Sequence, residues 1–142
     1  MQSDESSIPV FGSHSPAIEC TPRRAAYAVI TDPKGRLAAV KGKSGYFLPG
    51  GGSLPTETPE QTLRREVNEE LATEVRIVRR IGEAIQYFYA DGQHYRMEAA
   101  FFAVEFSSDA SGAGEHELYW LEPEEVERAF YHPSHAWAGR QV

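Results

Sequence analysis

The sequence predicts a mixed α/β fold, a sheet of several strands with helices packed on it. Three observations predict it. The apolar runs Ala25 to Ile30 and Leu37 to Val40 flank Asp32-Pro33-Lys34-Gly35, a turn with Pro at its second position, and read as a first hairpin. Glu83 to Ala90 and Gln93 to Phe106 flank Asp91-Gly92, a strong signal for a second hairpin. Between the two lies an amphipathic helix. Thr58 is its N-cap, Pro59 suits its first position and Gln61 completes a capping box. Leu63, Val67 and Leu71 recur every four residues as one apolar stripe.

The remaining elements follow in order. Residues 1–21 are rich in Ser, Pro and acids and read as a flexible arm, with Ile8 to Phe11 as the segment able to dock. Residues 22–142 form the one domain. Arg23 to Thr31 and Arg36 to Lys41 are its first strands, and Val75 to Ile81 alternates as a strand after the helix. In Gln93 to Phe106, Tyr95, Met97, Ala99, Phe101 and Ala103 share one face. Ser107 to Gly114 is a Ser/Gly/Asp loop, and Glu115 to Leu121 a strand. Pro123 opens a short helix over Glu124 to Phe130, and Ala136 to Val142 is a last helical turn.

Composition bounds the function. At 142 residues and 41% hydrophobic content, the chain can bury a core. A net charge of −7 argues against binding duplex nucleic acid through a basic surface. Handling anionic phosphates then requires metal ions or a few placed Lys and Arg. One cysteine, Cys20, excludes an internal disulfide and fits the cytoplasm. No apolar run is long enough to span a membrane, and no secretory signal is visible. His132 and His135, with distant Cys20, do not make a zinc set; both are expected to cap or pack, contact of one with a substrate being the lesser reading.

Residues 48–73 read LPGGGSLPTETPEQTLRREVNEELAT. A glycine turn leads to Glu57, a helix start, and then Arg65, Glu66, Glu69 and Glu70. At about 100° per residue the three later glutamates fall along one edge of the apolar stripe. Like charges three and four apart on a helix repel by roughly 0.2–0.5 kcal/mol per pair. A hard divalent cation relieves that repulsion, because Mg²⁺ takes oxygen ligands and shares them with substrate phosphates. Gly50, Gly51 and Gly52 leave backbone uncovered for a phosphate or the metal. A solvated acidic helix face is the competing reading of the glutamates alone.

This spacing resembles the signature of the Nudix hydrolases, carried here by Gly51, Glu57, Arg65, Glu66, Val67, Glu69 and Glu70. Ala72 and Thr73 depart from it, standing where the signature has a glycine and an apolar residue. An alanine in a left-handed C-cap costs roughly 1–2 kcal/mol, so the helix is expected to end by another geometry. The resemblance implies an α/β/α sandwich with the box as a loop-helix-loop. It also implies cleavage of a diphosphate linkage with Mg²⁺ or Mn²⁺. Glu66, Glu69 and Glu70 would then hold the metal, with Glu66 also the candidate base and the Gly51 carbonyl a further ligand. Glu57 and Arg65 would form an ion pair fixing the loop on the helix. A further glutamate outside the box is expected, with Glu115 and Glu117 as candidates against a plain surface role. Lys41 and Lys43 either meet substrate phosphates or are solvated lysines at a strand end.

The resemblance points to a small-molecule phosphoanhydride substrate and to a monomer or homodimer. A small member of this kind looks most like the nucleoside triphosphate pyrophosphohydrolases, MutT-like. The alternative is a Nudix-like sensor that binds a nucleotide or sugar phosphate without turnover.

Overall fold

The run Ala25 to Ile30 is apolar at every position, so its strand must be covered on both faces. The computed structural model, which describes residues 8–107 and 114–142, places it at the centre of the molecule. Strand β2 (Thr21–Val29) lies in a five-stranded mixed sheet with β1 (Val10–Phe11), β5 (Gly50–Gly52), β6 (Val75–Ala90) and β7 (Gln93–Phe106), in the order β1-β6-β7-β2-β5. It runs parallel to β7 and antiparallel to β5. A second sheet has the order β4-β3-β8, from β3 (Leu37–Gly42), β4 (Gly45–Phe47) and β8 (Tyr119–Leu121).

Alternation along β2 and β7 sends side chains to two cores. Ala26, Ala28, Ala100, Phe102 and Val104 pack with Leu63, Val67 and Leu71 of helix α1 (Pro59–Leu71). Ala25, Tyr27, Met97, Ala99 and Phe101 pack with Val126 of α2 (Val126–Ala129) and Ala136 and Ala138 of α3 (Pro133–Gly139). This is the α/β/α sandwich. Among the described residues, no helix is long and apolar enough to cross a membrane.

Helix α1 starts as expected. Thr58 Oγ1 accepts from the Gln61 amide at 3.2 Å, and Gln61 Oε1 accepts from the Thr58 amide at 2.9 Å. Its end corrects the expectation. Ala72 does adopt the left-handed conformation, φ 53° and ψ 46°, with its amide donating to the Asn68 carbonyl at 2.8 Å. The chain reverses sharply there because Val75, 3% exposed, must enter the same core as Leu71.

Other differences have similar causes. The first hairpin closes only at its turn, where Thr31 bridges Leu37 and the Ala38 amide donates to Ile30. β2 already has partners on both edges, so β3 joins the other sheet. Val75 to Ile81 and Glu83 to Ala90 are one strand, interrupted by bulges at Ile77/Arg79 and Arg80/Gly82. A bulge absorbs an extra residue without ending the ladder.

The strand expected over Glu115 to Leu121 shrinks to Tyr119–Leu121. The amides of Glu115 and His116 instead donate to the carbonyls of Glu69 and Glu70 in the last turn of α1, each at 2.9 Å. Most of the predicted Ser107 to Gly114 loop, residues 108–113, lies outside the described residues. Pro133 at its first position starts the final helix earlier than expected. Within the arm, the docking segment is Val10–Phe11, paired parallel to β6, with Phe11 against Trp137 at 6.1 Å.

Candidate active site

A cleft of about 330 Å³ opens where β5, α1 and the two sheets meet. Gly50, Gly51 and Gly52 form one wall, and Glu66 and Glu70 of α1 face it. Arg23 and Tyr27 come from β2, Lys41 and Gly42 from β3. Phe47, Phe88, Met97 and His132 form an apolar end.

Glu70 is 8% exposed, and its Oε1 accepts from the Gly50 amide at 2.9 Å. Burial pushes its carboxyl up to about 8. The Gly50 bond opposes this, and the charges of Glu66, Glu115 and Glu69 add to it. Glu66 is half-buried, and desolvation raises its pKa as well, against the pull of Arg65. Its carboxyl lies against Gly51 so closely that a Cβ there would stand 2.6 Å from Cδ. The glycine is therefore a steric requirement of this packing.

The three glutamates expected to hold the metal are divided. Glu69 does not line the cleft: its side chain is 45% exposed and meets Arg65 Nη1 at 3.4 Å, in a groove with Arg64, Asn68 and Glu74. Glu57 and Arg65 are joined by two bonds, Nε to Oε2 at 2.6 Å and Nη2 to Oε1 at 2.9 Å. Arg65 Nη2 also donates to the Gly52 carbonyl at 3.0 Å, tying the glycine strand to the helix. Glu57 accepts further from the Leu54 amide and the Thr62 hydroxyl. Led by the Arg65 bond, these hold its carboxyl down at about 2.

Glu115 is exposed and lines an adjoining groove with Lys41, Lys43, His116 and Glu117. Lys41 borders both spaces, while Lys43 borders only the groove. Glu117 Oε1 accepts from the Tyr119 hydroxyl at 3.2 Å. Both histidines pack. His132 is 5% exposed and meets Phe47 and Phe88 edge-on, and burial followed by the charge of Arg23 lowers its pKa to about 4. His135 is fully buried, and its Nδ1 accepts from the Leu48 amide at 3.0 Å.

Sequence reading missed the two arginines. Arg23 lines the cleft with Glu66 and lies over the Tyr95 ring, its guanidinium 5.9 Å from the ring centroid. Arg24 donates to the carbonyls of Leu54, Pro55 and Glu57 and holds the loop before α1. The available signal was a pair of cations opening a buried strand in an acidic chain.

Does this site fit a divalent cation? Among the described residues, no three His, Cys, Asp or Glu side chains converge as a finished metal cage. The donors are nonetheless oxygen, the type Mg²⁺ and Mn²⁺ take. Two carboxyls share one cleft, both with pKa raised by burial; Glu66 accepts from Arg65 Nη1 at 3.1 Å, and Glu70 is met by the Gly50 amide. The fit is to a hard cation that completes its shell with further groups.

Residues 21–140 match the NUDIX domain family. No curated protein matches the chain. Among solved structures, a MutT protein from Methanosarcina mazei Go1 is 21% identical with a TM-score of 0.68, the match covering 88% of this chain and 95% of that one. A MutT NUDIX hydrolase from Burkholderia pseudomallei is 25% identical with a TM-score of 0.69, covering 86% and 98%. An Ap4A hydrolase of C. elegans, solved as a binary complex, is 19% identical with a TM-score of 0.64, covering 84% and 93%. With the family matched over most of its length, the chain belongs to the Nudix hydrolases, enzymes acting on phosphoanhydride bonds.

Proposed function

We propose that this enzyme is a Mg²⁺- or Mn²⁺-dependent pyrophosphohydrolase cleaving a diphosphate linkage in a nucleoside compound. Nucleoside triphosphates, split to a monophosphate and pyrophosphate, are the first substrates to expect. One observation carries the reading: two desolvated glutamates share a glycine-walled cleft with Arg23 and Lys41, in a protein of net charge −7.

Glu66 and Glu70 would hold the cation, with the Gly51 carbonyl and Glu69 from the box and Glu115 from beyond it as further donors. When bound, the cation neutralises phosphate charge and acidifies water. Glu66 takes the proton of the attacking water, a task suited to a carboxylate whose basicity is raised by burial. Arg23 and Lys41 hold phosphate oxygens, Arg23 with a planar fork and Lys41 as a point charge. Glu57 and Arg65 keep the glycine strand at its distance from α1. The Phe47, Phe88 and His132 end takes a flat ring.

The MutT-like reading of the sequence puts triphosphates first, and the Ap4A hydrolase among the similar structures keeps dinucleoside polyphosphates in view. The test is a panel of nucleoside triphosphates, oxidised nucleotides, dinucleoside polyphosphates and nucleotide sugars in Mg²⁺, with phosphate and pyrophosphate assayed separately. Pyrophosphate release that stops in excess EDTA is expected, as is a higher Tm with Mg²⁺. Unchanged turnover in EDTA would sink the metal-dependent reading. Tight binding without turnover across the panel would make the domain a sensor.

A further inference from the structure

The segment Leu48-Pro49-Gly50 carries β4 into β5. Pro49 has no N–H, so its two available donors are the amides of Leu48 and Gly50. Each is received by a buried side chain from a different helix. His135 Nδ1, on α3, accepts from Leu48 at 3.0 Å. Glu70 Oε1, on α1, accepts from Gly50 at 2.9 Å. Between them the Pro49 carbonyl accepts from the Ala28 amide at 2.8 Å. Leu48 and His135 are both 0% exposed.

The far side of His135 explains nothing about its presence. Its ring packs among Tyr27 at 4.2 Å and Phe101, Phe130 and Phe47 at about 6 Å, and its Nε2 is buried without a hydrogen-bond partner among the described residues. A buried polar atom left unpaired is destabilising. An aliphatic side chain would fill this apolar pocket without that cost, but it would leave the Leu48 amide unpaired. Burial keeps the imidazole neutral, so Nδ1 remains an acceptor. On its other side α3 is anchored independently, the Ser134 amide donating to buried Gln86 Oε1 at 3.1 Å.

We infer that His135 is a positioning residue for the cleft: by fixing the Leu48 amide it sets the path of Pro49 and Gly50, and so the aim of the Glu70 carboxylate. The inference rests on the proposed role of Glu70 only for its catalytic consequence. The geometric link stands in the metal-free protein.

The test compares three variants. In His135→Asn the side-chain oxygen replaces Nδ1 at similar reach. In His135→Gln the oxygen falls nearer the position of Nε2. His135→Leu removes the acceptor altogether. Three readouts are taken: amide hydrogen exchange in metal-free protein, Mn²⁺ affinity by calorimetry, and kcat against KM on any accepted substrate. The Leu and Gln variants are expected to speed exchange at both Leu48 and Gly50 while β7 amides stay protected. They should weaken Mn²⁺ binding and lower kcat by about 10–100-fold, the range for groups that orient metal ligands, with little change in KM. The Asn variant should restore Gly50 protection and most Mn²⁺ affinity.

If the Leu variant does not fold, the Asn and Gln pair carries the comparison. Faster exchange at Leu48 alone, with Gly50 and Mn²⁺ affinity unchanged, overturns the inference. So does uniform acceleration across the sheet, or an Asn variant no better than Gln. If no substrate is turned over, or the wild type binds no Mn²⁺, the proposed function fails while exchange at Gly50 still decides this question.

Discussion

Glu57 and Glu70 belong to one short stretch of sequence and face opposite electrostatic fates. Glu57 is met by two Arg65 bonds, an amide and a hydroxyl, and its carboxyl is held down at about 2. Glu70 is buried beside Glu66 with one backbone amide for company, and its carboxyl is pushed up to about 8. The protein neutralises the first charge itself and leaves the second for something from outside. The contrast separates a device that holds shape from one prepared to receive a cation.

The largest effects should come from the two cleft carboxyls. Glu66→Gln and Glu70→Gln keep size and remove charge. Under saturating Mg²⁺, kcat of the Glu66 variant is expected to fall by roughly 10²–10⁴-fold, the range for a lost general base. The fold should survive, with a melting temperature in EDTA close to wild type, because the lost Arg65 ion pair offsets the like-charge repulsion that is relieved. Near-normal kcat would remove Glu66 from the catalytic set.

On the compensated side the losses should be smaller. Glu57→Gln or Arg65→Ala is expected to cost about 10–100-fold in activity, through displacement of the glycine strand and α1. Because the two act as a pair, the double variant should be little worse than the worse single one. A multiplicative loss in the double-mutant cycle would show independent roles.

The pH dependence of stability should split the two regions as well. The Glu57 pKa lies below its ordinary value of 4.5, so its contribution is present above about pH 4.5 and is lost as pH falls toward 2. The Glu70 pKa lies above 4.5, so ionising it destabilises the fold. Metal-free protein should therefore lose stability as pH rises from about 4.5 through 8. Melting curves in EDTA should flatten over that range in Glu70→Gln and keep their slope in Glu57→Gln.

The smallest effect lies past the end of α1. Ala72→Gly relieves the left-handed strain at φ 53° and should raise stability by about 1 kcal/mol or less, read by chemical denaturation, without touching kcat.

Much of this was legible because it is local. Thr58, Pro59 and Gln61 specify a helix start within four residues, and Asp91-Gly92 a turn within two. The Glu57–Arg65 pair follows from a spacing of eight along one chain segment. What escaped depends on distant partners. Parallel pairing of β2 with β7 joins residues about seventy apart, and no local pattern encodes it. The His135–Leu48 bond spans 87 residues. Glu66 and Glu69 both accept from Arg65 Nη1, yet Glu66 lines the cleft with Glu70 and Glu69 does not, and spacing along a helix does not fix which way each side chain leans. Arg23 became a cleft residue only when the sheet set it beside Gly52 and Glu66.

The central claim is that Glu70 waits, largely protonated at neutral pH, for a cation. Metal binding to a protonated ligand releases a proton. Calorimetric titration with Mn²⁺ at pH 7, repeated in buffers of different ionisation enthalpy, counts those protons directly. The account predicts release of about one proton per bound ion in the wild type, falling toward zero in Glu70→Gln. Tight Mn²⁺ binding with no proton released, or with the same release in Glu70→Gln, would contradict it.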